Sequence, residues 1–385
     1  MPAKLLVVDD EPDLELLIRQ KFRRQIRNDE FQFEFARSGV EALQKLAEEP
    51  DIDLVLTDIN MPEMDGLTLL QKLNELNRLL KAVIVSAYGD MENIRIAMNR
   101  GASDFITKPI DFQDLEITIN KTLRQLEELK HAVLEHDQLV TIRKELDIAS
   151  HIQQSILPRT FPPFPDRTEF DIFAAMIPAR EVGGDFYDFF LIGDDRLGCV
   201  IGDVSGKGVP AALFMAVSRT LLRSTALTGT PPTQCLQQVN RLLCLENSAE
   251  MFVTIFYGVL NTRTGAFEYV NGGHNPPYLL RHGGAVEPLE STGGTVLGAI
   301  DGVTYRAKSI TLEAGDQLLL YTDGVTEAMD SAGKLYSEQR LQQCLRGMDA
   351  AGPEALVHAV ADEVKRYAGT APQNDDITVL AIRKN

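Results

Sequence analysis

Five short apolar runs recur through the first third of the chain, each followed by a longer segment with helical spacing. That rhythm constrains the fold more than any other feature. The runs are Leu5 to Val8, Phe31 to Ala36, Leu54 to Thr57, Ala82 to Ser86 and Asp104 to Thr107. Between them, segments such as Leu14 to Ile26 place Leu14, Leu17, Ile18, Phe22 and Ile26 at steps that collect apolar side chains on one helical face. Strands alternating with crossover helices predict a five-stranded, parallel, doubly wound α/β sheet.

After Pro109 the rhythm stops. One long helix is predicted up to Pro158, where the run PRTFPPFP ends it, because proline removes a backbone donor and restricts its predecessor. Leu126, Leu129 and Val133 follow the spacing of a coiled coil, and Ile142, Leu146 and Ala149 resume it. The intervening steps through His136 and Leu139 are all of three residues, a stammer that overwinds a supercoil. Two readings stay open here: a solvated spacer helix, or the seam of a parallel dimer with a built-in weak point.

A second domain is predicted beyond the proline run. Its strands read Phe170 to Ile177, Asp185 to Leu191, Gly198 to Asp203, Phe252 to Leu260, Ala266 to Asn271, Pro277 to Leu280, Gln317 to Thr322 and Ile377 to Ile382. Its helices read Pro210 to Ala226, Thr233 to Leu245, Glu338 to Arg346 and Pro353 to Tyr367. Strands in meanders and helices in pairs predict an α+β layered β-sandwich flanked by helices. The expected domains are therefore 1–120, a helical linker over 121–157, and 158–385. A length of 385 residues agrees with more than one hydrophobic core.

A net charge of -18 disfavours nucleic acid as a partner, since phosphate backbones attract basic surfaces. The apolar runs are too short to span a bilayer. The segment MPAKLLVVDDEP lacks the apolar stretch of a secretory signal, so the cytoplasm is the expected compartment. Cys199, Cys235, Cys244 and Cys344 lack CxxC spacing and read as reduced thiols.

Asp9 and Asp10 end the first predicted strand and Asp58 ends the third, so the parallel sheet brings them to one crevice. Crowded carboxylates call for a hard cation such as magnesium. A carboxylate is also a nucleophile able to accept a phosphoryl group. Lys108, after the fifth strand, offers positive charge to phosphoryl oxygens, and Ser86 a hydroxyl. The motifs VVDDEP, LVLTDINMPEMDG, VIVSAYGD and DFITKP resemble the flavodoxin-like receiver domain of bacterial response regulators over about residues 1–120. That resemblance implies Asp58 as phosphoacceptor and Mg2+ held by Asp9, Asp10, Asp58 and the Asn60 carbonyl. It also implies phosphate contacts from Ser86 and Lys108, and Phe105 as the switch aromatic. Serine at 86 and phenylalanine at 105 depart mildly from the common threonine and tyrosine.

The second domain carries GGDFYD at 183–188, GDVSGKG at 202–208, YTDGVTE at 321–327 and NDDITVL at 374–380, each with an aspartate at a strand end or beside a glycine turn. A lone turn aspartate, such as Asp194 or Asp195, carries no message. Four dispersed acidic motifs beside β-structure do, because two-metal sites for phosphoryl transfer need several carboxylates. With ELDIASHIQQSILP, PAREVGGDFYD and GGHNPP, they resemble the PPM-type (protein phosphatase 2C type) phosphatases of the bacterial partner-switching branch, from about Glu145 onward. The resemblance implies two Mn2+ or Mg2+ ions bridged by Asp203, with Asp323 and Asp375 on one, and Asp185 and the Val204 carbonyl on the other. The neighbouring Asp376 is the alternative to Asp375. Arg180 reads either as a phosphate-binding fork or as a charge-balancing residue, and His274 as a residue that holds backbone.

Together these readings predict a phosphorylation-regulated, metal-dependent serine/threonine phosphatase. A histidine kinase would supply the signal, and a phosphorylated anti-sigma antagonist would be the substrate. The chain is expected to pair as a homodimer through receiver and linker. The rival class is a binding adaptor that captures a partner with little catalysis.

Overall fold

The computed structural model describes residues 2–76, 78–87, 90–245, 247–348 and 350–385. The chain divides into two compact units, one up to Ile142 and one from Arg143.

The first unit runs β1 (Ala3–Val8), α1 (Pro12–Lys21), α2 (Arg23–Arg27), β2 (Phe31–Ala36), α3 (Gly39–Glu48), β3 (Leu54–Asp58), α4 (Gly66–Glu75), β4 (Lys81–Ala87), α5 (Met91–Asn99), β5 (Asp104–Lys108) and α6 (Phe112–Ile156). The sheet order is β2-β1-β3-β4-β5, with every pairing parallel. Alternation along the strands builds two cores. Leu6 and Val8 pack with Ala42, Leu46, Leu69 and Leu73, whereas Leu5 and Val7 pack with Leu14, Ile18, Phe22 and Ile119 on the opposite face. This is the doubly wound arrangement the sequence predicts. Ser38 and Asp65 accept the Glu41 and Thr68 amides and so cap α3 and α4.

Leu14 to Ile26 does not form one helix. The backbone leaves helical geometry at Phe22, which is 2% exposed and packs its ring 5.4 Å from that of Phe33. Carrying that ring into the core takes precedence over continuing the helix.

Nearly all of the predicted linker, 121–157, falls in α6, a single helix of 45 residues that starts at Phe112, and the three-residue steps near His136 do not interrupt it. Its first turns belong to the core of the first unit through Leu115 and Ile119, and Leu126 is buried as well. Lys130 ion-pairs with Asp53 at 2.6 Å. Leu126 is therefore committed inside its own unit and unavailable to the expected seam. Leu129, Val133, Leu139 and Ile142 remain exposed.

The second unit, after the end of α6, runs β6 (Phe170–Ile177), β7 (Phe186–Leu191), β8 (Arg196–Val204), α7 (Val209–Leu227), α8 (Pro232–Leu245), β9 (Val253–Asn261), β10 (Ala266–Gly272), β11 (Tyr278–Leu280), β12 (Val286–Pro288), β13 (Lys308–Thr311), β14 (Gln317–Tyr321), α9 (Asp323–Thr326), α10 (Ser337–Leu345), α11 (Pro353–Ala368) and β15 (Ile377–Lys384). Two antiparallel sheets, β13-β10-β9-β8-β7 and β12-β11-β14-β15-β6, stack face to face. In β14, Leu318 and Leu320 enter the core between the sheets, while Leu319 and Tyr321 face the layer containing α11. A strand covered on both sides reads as the continuous apolar run it is in sequence.

Strands β12 and β13 are not predicted from sequence. Both lie at sheet edges and are short and largely polar, so neither carries a clear alternation. All four cysteines are free thiols. Among the described residues no helix is long and apolar enough to cross a membrane.

Candidate functional site

At the carboxyl ends of the parallel strands, Asp9, Asp10 and Asp58 offer oxygens within 4.8 Å of one another. Lys108 Nζ donates to Asp58 Oδ2 at 2.7 Å, to Asp9 Oδ2 at 3.0 Å and to Glu11 at 3.3 Å. Burial pulls the Lys108 ammonium down, but the hydrogen bonds to Asp58 and Asp9 outweigh it and hold its pKa above the ordinary lysine value. Asp9 is pushed up by burial, against the opposing pull of the Glu11 amide and Lys108. The Ile59 amide donates to Asp58 Oδ1 at 2.6 Å and the Asn60 amide reaches it at 3.4 Å, fixing the carboxylate over the β3–α4 turn.

Ser86 is fully buried on β4 and its hydroxyl donates to Asp90 at 3.4 Å. Tyr88 and Gly89 of the VIVSAYGD motif lie outside the described residues. Phe105 is on the exposed side of β5. Glu11, not singled out from sequence, joins the cluster through Lys108, and its place directly after the paired aspartates is the signal that could have found it.

In the second unit Asp185 precedes β7, Asp203 and Val204 close β8, Asp323 opens α9, and Asp375 lies just before β15. Asp185 is buried and accepts the Thr322 hydroxyl at 2.7 Å. Burial first, then the charges of Asp203 and Asp376, push Asp185 well above the carboxylate range. Burial, then Asp323 and Asp375, push Asp203 up to about 7. Burial, then Glu327 and Asp375, push Asp323 up to about 6. Among the described residues the group of three whose ligand oxygens lie within 4.8 Å is Asp9, Asp10 and Asp58; in the second unit Asp185, Asp203 and Asp323 are related by the neighbouring negative charges that raise them, a conflict that a hard divalent cation would remove.

The adjacent aspartates of NDDITVL do different things. Asp376 accepts the Ala179 amide at 2.8 Å on one oxygen, and the Gly184 and Asp185 amides at 2.7 and 3.4 Å on the other. Its carboxylate thus clasps the turn that presents Asp185. Asp375 is half-exposed and meets Lys207 Nζ at 2.8 Å, while Lys207 also donates to the Asn374 carbonyl. Glycines make the clasp possible: a Cβ on Gly183 would stand 2.3 Å from Asp376 Oδ2, and one on Gly324 only 1.9 Å from the Asp376 carbonyl.

A second support comes from α6. Gln153 is buried, and its side-chain amide bonds both the N–H and the C=O of Gly183. His274 has both ring nitrogens engaged: Nε2 donates to the Tyr321 carbonyl at 3.1 Å and Nδ1 accepts from Thr254 at 2.8 Å. Burial lowers its pKa to about 4, so the ring is neutral. Arg180 is exposed and forms no ion pair among the described residues, which leaves the charge-balancing reading without a counter-charge. Gln153, Lys207 and Thr322 are not singled out from sequence, although each lies inside a motif quoted for the site.

An aspartate–lysine crevice on a doubly wound sheet, followed by a carboxylate cluster on a layered β-sandwich, defines a response-regulator receiver joined to a PPM-type domain. The sequence matches the receiver family over residues 5–120 and the family described as Stage II sporulation protein E (SpoIIE) over residues 193–385, and the chain belongs to that SpoIIE family. It is 33% identical over 313 residues to Protein IcfG of Synechocystis sp., across 71% of this chain and 48% of the relative. It is 31% identical over 244 residues to the phosphoserine phosphatase RsbU of Bacillus subtilis, across 63% of this chain and 71% of the relative. The chain thus spans about half the length of the first of these and most of the second. The SiaA-PP2C domain of Pseudomonas aeruginosa superposes with a TM-score of 0.57 at 25% identity, over 64% of this chain and 99% of that domain. The SpoIIE phosphatase domain of Bacillus subtilis shares the fold, with a TM-score of 0.51 at 21% identity, over 56% of this chain and 62% of that one.

Proposed function

We propose that the chain is a metal-dependent protein serine/threonine phosphatase controlled by phosphorylation of its receiver. The observation that carries the reading is that Asp185, Asp203 and Asp323, at strand and helix ends of one β-sandwich, are each raised by burial and by neighbouring carboxylates. Asp203 would bridge two Mn2+ or Mg2+ ions, with Asp323 and Asp375 holding one, and Asp185 and the Val204 carbonyl the other. When bound, such ions supply the Lewis acidity that makes water a nucleophile at neutral pH. Thr322 orients Asp185, and Asp376 and Gln153 hold the turn in front of it. Arg180, unpaired and exposed, would receive the phosphate through its planar fork.

RsbU is named a phosphoserine phosphatase. That relationship supports a phosphorylated protein of the anti-sigma antagonist class as substrate. In the receiver, Asp58 would accept a phosphoryl group from a histidine kinase, with Mg2+ at Asp9, Asp10, Asp58 and the Asn60 carbonyl. Lys108 and Ser86 would meet the phosphoryl oxygens, and Phe105 would report the change. The exposed Leu129, Val133, Leu139 and Ile142 on α6 favour pairing with a second copy along that helix.

Mn2+-dependent release of phosphate from a phosphoserine protein, abolished by Asp203→Ala, tests the catalytic half. Equal rates for wild type and Asp58→Ala, with and without acetyl phosphate, would remove the receiver from control.

A further inference from the structure

A cavity of about 340 Å3 opens beside the carboxylate cluster of the second unit. Its apolar lining comes from Ala328 and Met329 after α9, from Ala361, Val364 and Ala368 on α11, and from Pro372 in the following loop. Gly324, Asp375 and Lys207 line it too, so one wall is shared with the cluster. Ala361 and Ala368, seven positions apart, lie on one helical face, and their small side chains leave the space open.

We propose that this groove seats an apolar side chain adjacent to the phosphorylated residue of the protein substrate, and so sets sequence preference. The inference rests on the phosphatase reading above. Continuity identifies the occupant: a chain whose phosphate sits at the cluster passes over the wall formed by Asp375 and Lys207. The next residue of an extended segment lies only about 3.5 Å further along. Two cations, Lys207 and Lys365, and two carboxylates, Glu327 and Asp375, line the groove, so its charges offset one another and the apolar lining decides what it takes. Size agrees as well, since the volume is at the small end of ligand pockets, which run from about 300 to 1,000 Å3, and suits side chains rather than a large cofactor.

The test uses the full chain with Mn2+, p-nitrophenyl phosphate, and two fluorescein-labelled phosphoserine peptides that differ only in leucine or serine next to the phosphoserine. The wild type is expected to favour the leucine peptide by about tenfold or more in kcat/KM. Ala361→Leu and Ala368→Leu fill the groove with a good helix former. Each should bring the ratio near one while p-nitrophenyl phosphate turnover stays within about twofold, since that substrate never reaches the groove. Met329→Ala removes part of the lining without adding bulk to α11, and should lower the same ratio even if a filled variant fails to fold. A wild-type ratio near one overturns the inference, as does a ratio that survives in the folded variants, or equal loss on peptide and p-nitrophenyl phosphate. If the wild type turns over neither substrate class, the phosphatase reading fails by itself. Fluorescence anisotropy of the same peptides then decides the groove: a leucine preference that the variants erase supports it, and equal binding of both peptides overturns it.

Discussion

Gln153 holds Gly183 from both sides. Its side-chain oxygen accepts the Gly183 N–H at 3.0 Å and its NH2 donates to the Gly183 carbonyl at 2.5 Å. The last turns of α6 are thereby tied to the loop that presents Asp185. Gln153→Ala would leave both backbone groups buried without a partner. We expect phosphatase activity to fall by about 10- to 100-fold at limiting Mn2+, the range seen when supports behind metal ligands are removed. Part of the activity should return at high Mn2+. A metal titration of wild type and variant checks this, and identical curves would show that the pairing has no bearing on the site.

Asp375 and Asp376 should separate cleanly. Asp376→Ala orphans the Ala179, Gly184 and Asp185 amides and should destabilise the second unit by about 2–4 kcal/mol, read by urea unfolding. Asp375→Ala removes a half-exposed ion pair and should cost no more than about 1 kcal/mol, while activity drops about 100-fold or more. A reversal of the two patterns would exchange their roles.

Gly324→Ala should be among the most damaging small substitutions in the chain. The added methyl would meet the Asp376 carbonyl at 1.9 Å, a backbone atom that cannot swing away. A loss of about 3 kcal/mol is expected, measured by thermal unfolding beside the open position Gly352, where no atom lies within 4 Å and φ is -73°.

Asp316 gives an acid-side prediction far from any metal ligand. Burial tends to raise its pKa, but the amides of His282 and Glu313 and the Arg281 guanidinium at 2.7 Å outweigh that and lower it. A depressed folded value means stability present above the ordinary carboxylate pKa of about 3.9. It is lost as pH falls from there through the folded value. Asp316→Asn should flatten this part of the stability curve below about pH 4 and leave the curve's shape at neutral pH unchanged. An unchanged acid limb would refute the assignment.

The receiver is legible because its chemistry sits at strand ends. Once Leu5 to Val8 and Leu54 to Thr57 read as parallel strands, Asp9 and Asp58 must converge. The second unit yields less. Continuous apolar runs mark β14 and β15, but adjacent residues such as Asp375 and Asp376 diverge only once the backbone path before β15 is known. Gln153 is hidden for a related reason. Within a polar stretch of helix nothing distinguishes the glutamine that turns inward from its exposed neighbours, because its partner is a backbone group 30 residues away. The edge strands β12 and β13 lack the buried faces that make strands readable.

The pairing of β6 carries a cost during synthesis. Its neighbour is β15, with Ile177 opposite Ile377, so 200 residues must be translated before that strand acquires its partner. The clasp of Asp376 on Gly184 closes at the same moment, across 192 positions. On a ribosome delivering about 5–20 residues per second, the unpaired edge is exposed for at least about 10 s. Until then β6 offers an open strand edge to other chains, so fragments truncated before β15 should be degraded or aggregate rather than accumulate as folded protein.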